Sequence, residues 1–206
     1  MVTTPGTVSD NVRAVPFTPT GRDEADGLLQ TSSAALLIGM ILDQQFPIES
    51  AFLGPWTLHQ RLGHLDVARI AAIPEDEFVA VACTKPAIHR FPAVMARRIH
   101  ALCAVLPSDG SAPWIDARSG RRLFEQLRAL PGFGDEKTQI TVALLAKQFG
   151  VAPRGWKAVA GVFADKQPRS AADIDGPEGL ARVRAWKTAQ RAAGLDKQGR
   201  PTTPSL

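Results

Sequence analysis

One stretch limits what this chain can become. In Leu130-Pro131-Gly132-Phe133-Gly134-Asp135 a helical period enters over 118–128 and another leaves as far as Phe149. Two helices this close in sequence turn back on each other. Gly132 and Gly134 make the turn tight, because glycine adopts backbone angles closed to other residues and carries no Cβ. Main-chain N–H groups at the start of the second helix can then approach an anion such as a phosphate. Pro131 narrows the turn further.

A second stretch is as informative. Ser32 or Ser33 reads as the N-cap of a helix over 34–42 that is apolar on every side and ends in Asp43-Gln44-Gln45. Such a helix belongs in the middle of a fold, walled by others. It delivers an acid and two amides to its own end, either as a site or as caps and bridges between neighbours. The helix after the glycine turn is apolar around most of its circumference, so it too is central.

The remaining patterns are also helical. Acidic residues open a helix at Asp23; Pro47 starts a short one that Gly54-Pro55 breaks before it resumes to Leu62. Two short amphipathic segments follow over 65–83, a longer one over 91–106, a weaker one over 156–163 and a last one through Leu180 and Trp186. Ser170 to Asp173 reads as a helix cap. No alternating strand pattern and no internal repeat occurs, which makes the fold all-α with roughly ten helices. Residues 1–22 read as a flexible arm, 23–194 as the helical domain with the hairpin at 118–149, and 195–206 as a loose tail.

Composition adds bounds. The 206 residues carry a formal charge of +4, which favours an anionic partner only weakly. Cys83 and Cys103 lack the spacing of a zinc or iron–sulfur site and read as core thiols, and no pair of histidines has metal spacing. His89, His100, Arg90, Arg97 and Arg98 fit either a solvated helical face or a nucleic-acid contact. No basic-then-apolar leader opens the chain and no apolar run is long enough for a membrane span, so a cytoplasmic monomer is expected.

Leu-Pro-Gly-x-Gly between two such helices is the signature of the helix-hairpin-helix motif, and the chain from about Ser33 to Gly150 resembles the HhH-GPD superfamily of base-excision DNA glycosylases. Three blocks stand in that family's order: Leu42-Asp43-Gln44-Gln45, Ala96-Arg97-Arg98-Ile99, and Leu130-Pro131-Gly132-Phe133-Gly134. The resemblance implies a two-lobed helical glycosylase fold whose partner is double-stranded DNA with a damaged base rotated into a pocket. It implies a phosphate anchor at Gly132, Phe133 and Gly134, with Lys137 and Thr138 as nearby donors. It also implies a monovalent cation at the hairpin, and Gln45 as the side chain sent into the duplex gap. No other cofactor is required, and the four-cysteine cluster of some relatives is missing.

The departures shape the chemistry. Members that also cut the strand place a lysine two residues after the last glycine; here that residue is Glu136, and Lys137 is about 100 degrees further round the helix. The aspartate that usually follows the second hairpin helix has no counterpart in 150–157, where Arg154 or Lys157 falls at the matching place. The glutamate of adenine-removing relatives corresponds to Met40. Asp43 is the first candidate for the missing carboxylate and Glu136 the second, with Asp173 and Asp175 further options. Two readings follow: a glycosylase without lyase activity, or a DNA-binding protein that recognises distorted or abasic DNA without cleaving a glycosidic bond. A third assigns the hairpin to protein contacts.

Overall fold

The computed structural model describes residues 17–202. It is all-α: ten α-helices and two 3₁₀ turns, with no β-strand among the described residues. None of these helices is by itself long and apolar enough to cross a membrane.

The axis is α2 (Ser33–Leu42), nine of whose ten residues are buried. Ser32 caps it by accepting the Ala35 N–H at 3.1 Å. Before it runs α1 (Asp23–Thr31), and after it α3 (Ile48–Leu62). The crossing of α2 and α3 is set by two glycines. A Cβ on Gly39 would lie 2.5 Å from the Phe52 ring, and one on Gly54 2.2 Å from Leu42 Cδ1. Contrary to the break expected at Gly54-Pro55, α3 continues through Pro55. Both residues are buried at that crossing, so packing there outweighs the one hydrogen bond that proline removes, and the Thr57 hydroxyl joins the Leu53 carbonyl at 3.2 Å.

Helices α4 (Val67–Ala72) and α5 (Glu75–Cys83) both pack against α6 (Pro92–Val105), whose buried residues are Met95, Ala96, Ile99, Leu102 and Cys103. Cys103 is a core thiol, pushed up to about 12 by burial, whereas Cys83 is half-buried. The glycine turn joins α7 (Gly120–Arg128) to α8 (Asp135–Gln148); then come α9 (Trp156–Ala160), 3₁₀ turns at Gly161–Ala164 and Ala171–Asp173, and α10 (Pro177–Ala192). Ser170 and Asp173 form a complete capping box, and Lys147 of α8 pairs with Asp173 at 2.6 Å.

Both presumed tails are tied down where they are described. Phe17 is fully buried, edge-on to Phe52 with centroids 5.1 Å apart, and buried Asp26 accepts the Thr20 and Gly21 N–H groups at 3.1 Å. Of the expected arm, 1–16 lie outside the described residues, and in 17–22 Phe17 and Pro19 are buried. The expected loose tail also differs: over 195–202 the chain folds on itself, with Asp196 N–H to Arg200 O at 2.8 Å and Thr202 N–H to Gly194 O at 2.8 Å.

Candidate functional site

The end of α2 and the start of α8 meet at a cleft of about 1570 Å³, with α10 and the 195–202 turn as its other wall. In the α7–α8 turn only one glycine has a special angle. Gly132 has φ +84°, whereas Gly134, the N-cap of α8, has an ordinary φ of −83°, which corrects the expectation for that residue. What Gly134 contributes is open space, since a Cβ there would meet nothing within 4 Å. No side chain caps α8, and the first amide to bond backwards is Thr138 N–H, to Gly134 O at 2.9 Å. Among the described residues the N–H groups of Gly134, Asp135, Glu136 and Lys137 have no acceptor. Gly134 to Lys137 all line the cleft, so the positive end of a 14-residue helix opens into it.

Two of the proposed contact residues are placed inside instead. Phe133 is buried at 2 % exposure; its N–H goes to Leu130 O at 3.1 Å and its carbonyl accepts Arg128 Nη1 at 3.1 Å. Thr138 is fully buried and its hydroxyl donates to Gly134 O at 2.9 Å, so it stiffens the turn and offers no donor. The carbonyls of Leu130, Phe133 and Gly134 each already have a protein donor, and Arg128 brings its own positive charge to Phe133.

Lys137 also differs from expectation. Its Nζ donates to the carbonyls of Met40 and, at 3.2 Å, Ile41. It thereby supplies a cation to the negative end of α2. Burial lowers its pKa to about 8, partly offset by the charge of Asp43. Beyond Asp43 the chain turns sharply. Gln44 Oε1 accepts Arg98 Nη1 at 2.7 Å, and exposed Gln45 has φ +53°, uncommon for a residue with a Cβ.

Among the described residues, five carboxylates line the cleft: Asp43, Glu49, Asp135, Glu136 and Asp196. Four are ion-paired. Arg128 holds Asp135 at 2.5 Å, Lys197 holds Glu136 at 2.8 Å, Arg200 holds Asp196 at 2.8 Å, and Arg184 holds Glu49. Asp43 has no ion-pair partner among the described residues. The second candidate, Glu136, has both oxygens engaged, one by Lys197 and the other by Gln198 Nε2 at 2.8 Å. Burial pushes its pKa up, but those two bonds outweigh it and hold the group below the usual carboxylate value. Asp173 is occupied by Lys147 and its capping box, Asp175 by Arg182 at 2.7 Å, and neither lines the cleft. Nor does any residue of 150–157; the Arg154 carbonyl instead accepts Gly120 N–H at 2.8 Å.

The wall from α10 escaped the sequence reading. Lys187 and Arg191 face the cleft beside Trp186. The Lys187 amine is lowered in pKa by burial, with Asp43 opposing that shift. The helical period of α10 was readable, but which of its faces meets α2 is not a local property. Comparison with protein-family models, with curated proteins and with solved structures finds no match for this chain.

Proposed function

We propose that this chain is a DNA-binding base-excision repair protein of the helix-hairpin-helix glycosylase type, which removes a damaged or modified base and leaves an abasic site. The observation that carries the reading is the meeting, in one cleft, of a carboxylate free of a direct ion pair among the described residues and an open helix start. Among the described residues Asp43 is the one cleft carboxylate without an ion pair, and N–H groups of α8 that have no acceptor among them open into the same cleft. A duplex phosphate held at Gly132 to Lys137 would leave an extruded nucleoside beside α2. There Asp43 stabilises the positive charge that grows on the sugar as the glycosidic bond breaks, and water completes the hydrolysis. Lys187 and Arg191 add positive charge for the phosphates on the opposite wall.

Strand cleavage through a lysine Schiff base is not part of this reading. A lowered pKa favours the free amine, but the Lys137 nitrogen is engaged by two carbonyls of α2. Borohydride treatment of the protein with abasic DNA is expected to trap no covalent complex.

One observation favours a second reading, a binder of distorted or abasic DNA that breaks no bond: four of the five cleft carboxylates are neutralised by neighbours. Incubation of the full chain with duplexes carrying single lesions, followed by alkali, separates the two. Scission at a lesion supports the glycosylase; tight, salt-sensitive binding with no scission on any lesion supports the binder.

A further inference from the structure

His89 is among the few buried polar residues, at 2 % exposure, and belongs to neither the cleft nor a metal site. Its two ring nitrogens have different partners. The Phe91 N–H donates to Nδ1 at 3.0 Å. A backbone amide can only donate, so Nδ1 is unprotonated and the ring proton sits on Nε2. That Nε2–H donates to the Gln44 carbonyl at 3.1 Å. The ring also lies beside Phe46 and Phe91 in tilted contacts, with centroids 4.5 and 6.0 Å away, so it is held at both nitrogens and packed against two aromatic rings.

The carbonyl it grips has a particular meaning. Gln44 C=O and Gln45 N belong to one peptide plane, and the rotation from that plane to the Gln45 side chain is φ of Gln45. That angle is +53°, an unfavourable choice that persists only where the surroundings impose it. Gln45 borders both the main cleft and a side groove of about 270 Å³ formed with Phe91, Val94 and Arg98. The geometry points to His89 as a positioning residue: its neutral, Nε2-protonated imidazole clasps the Gln44–Gln45 peptide to the start of α6 and so sets where the Gln45 side chain stands between cleft and groove. What Gln45 then does rests on the DNA-binding reading; the clasp does not.

The clasp has an acid limit. Burial lowers the His89 pKa from the usual 6.5, the bond to Gln44 resists, and the charges of Arg90, Lys137 and Arg98 lower it further. A second proton on Nδ1 would face the Phe91 N–H and break that bond.

The test has two arms on the full chain. Without DNA, imidazole nitrogen NMR is expected to show Nε2–H and bare Nδ1 at neutral pH, a titration midpoint below 6.5, and Gln45 and Phe91 amide signals moving with that midpoint. The opposite tautomer, or a midpoint at or above the usual value, overturns the clasp. With DNA, the readout is the preference for a duplex with an abasic analogue over an intact one. Gln45→Ala and His89→Asn each lower that preference about five-fold or more, and the double variant lowers it no further. His89→Gln, which returns a donor near Nε2, restores most of it. Multiplying effects in the double variant overturn the positioning role. If the wild-type chain binds no duplex at low salt, the DNA-binding reading fails, and the NMR arm alone decides the clasp.

Discussion

Two helix ends meet at the cleft and are finished in opposite ways. The C-terminal end of α2 is closed: Lys137 occupies the carbonyls of Met40 and Ile41, and the residues leading to it are buried. The N-terminal end of α8 is open, with no side-chain cap and its first amides free among the described residues. The acids on the two ends differ in the reverse sense. Asp43, on the closed end, has no ion pair among the described residues, while Asp135 and Glu136, on the open end, are both ion-paired. A phosphate approaching α8 therefore meets open amides beside acids that are already ion-paired, and a positive centre approaching α2 meets a carboxylate in direct ion pairing with none of the described cations, although Lys137 and Lys187 share its field.

The largest expected effect comes from opening the closed end. Lys137→Met strips the donor from two carbonyls, a loss partly offset because burial already disfavours the charged amine, and should lower unfolding stability by about 1–2 kcal/mol in denaturant titration. In the unmodified chain the amine is charged below its pKa of about 8 and neutral above it. DNA affinity should therefore fall as pH rises through 8, and Lys137→Met should lose that step. Next is Gly132→Ala, which should cost about 1 kcal/mol. The loss comes from a backbone at φ +84°, since a Cβ there meets Ile41 only at an ordinary 3.5 Å. A change at Gly132 no larger than at Gly134 would show that the turn can relax.

These contrasts were only partly legible in the sequence. The α2 helix, its serine cap as one of Ser32 and Ser33, the Gly132 turn and the Ser170 capping box were readable because periodicity and caps are local. Continuation of α3 through Pro55 was not, because it depends on Gly54 and Leu42 meeting across two helices. The difference between Asp43 and Glu136 was hidden for the same reason. The partners of Glu136, Lys197 and Gln198, come from a stretch whose polar, proline-containing composition suggested a loose tail. Phe133 and Thr138 looked like contact residues because sequence position marks the turn but not which way each side chain points.

Smaller effects sharpen the contrast between the two acids. Glu136→Gln removes a half-exposed ion pair with Lys197, so its stability cost should stay under about 1 kcal/mol. Base release should be unaffected and duplex binding no weaker; a large loss of release would move the chemistry to the open end. Gly134→Ala should leave stability nearly unchanged, since its φ suits any residue and the added methyl meets nothing. Binding should still weaken measurably, because the methyl covers amides left open for an anion.

The most direct test changes only the charge of Asp43. Asp43→Asn keeps the shape of a residue that makes no ion pair among the described residues, so folding should match the original chain, and duplex affinity should persist when measured well below pH 8, where Lys137 stays charged. Base release from the lesion that the unmodified protein accepts, read as alkali-sensitive strand scission, should fall about a hundred-fold or more. Release that persists in Asp43→Asn at the original rate would contradict the account and leave the cleft as a binding site alone or place the chemistry on another group.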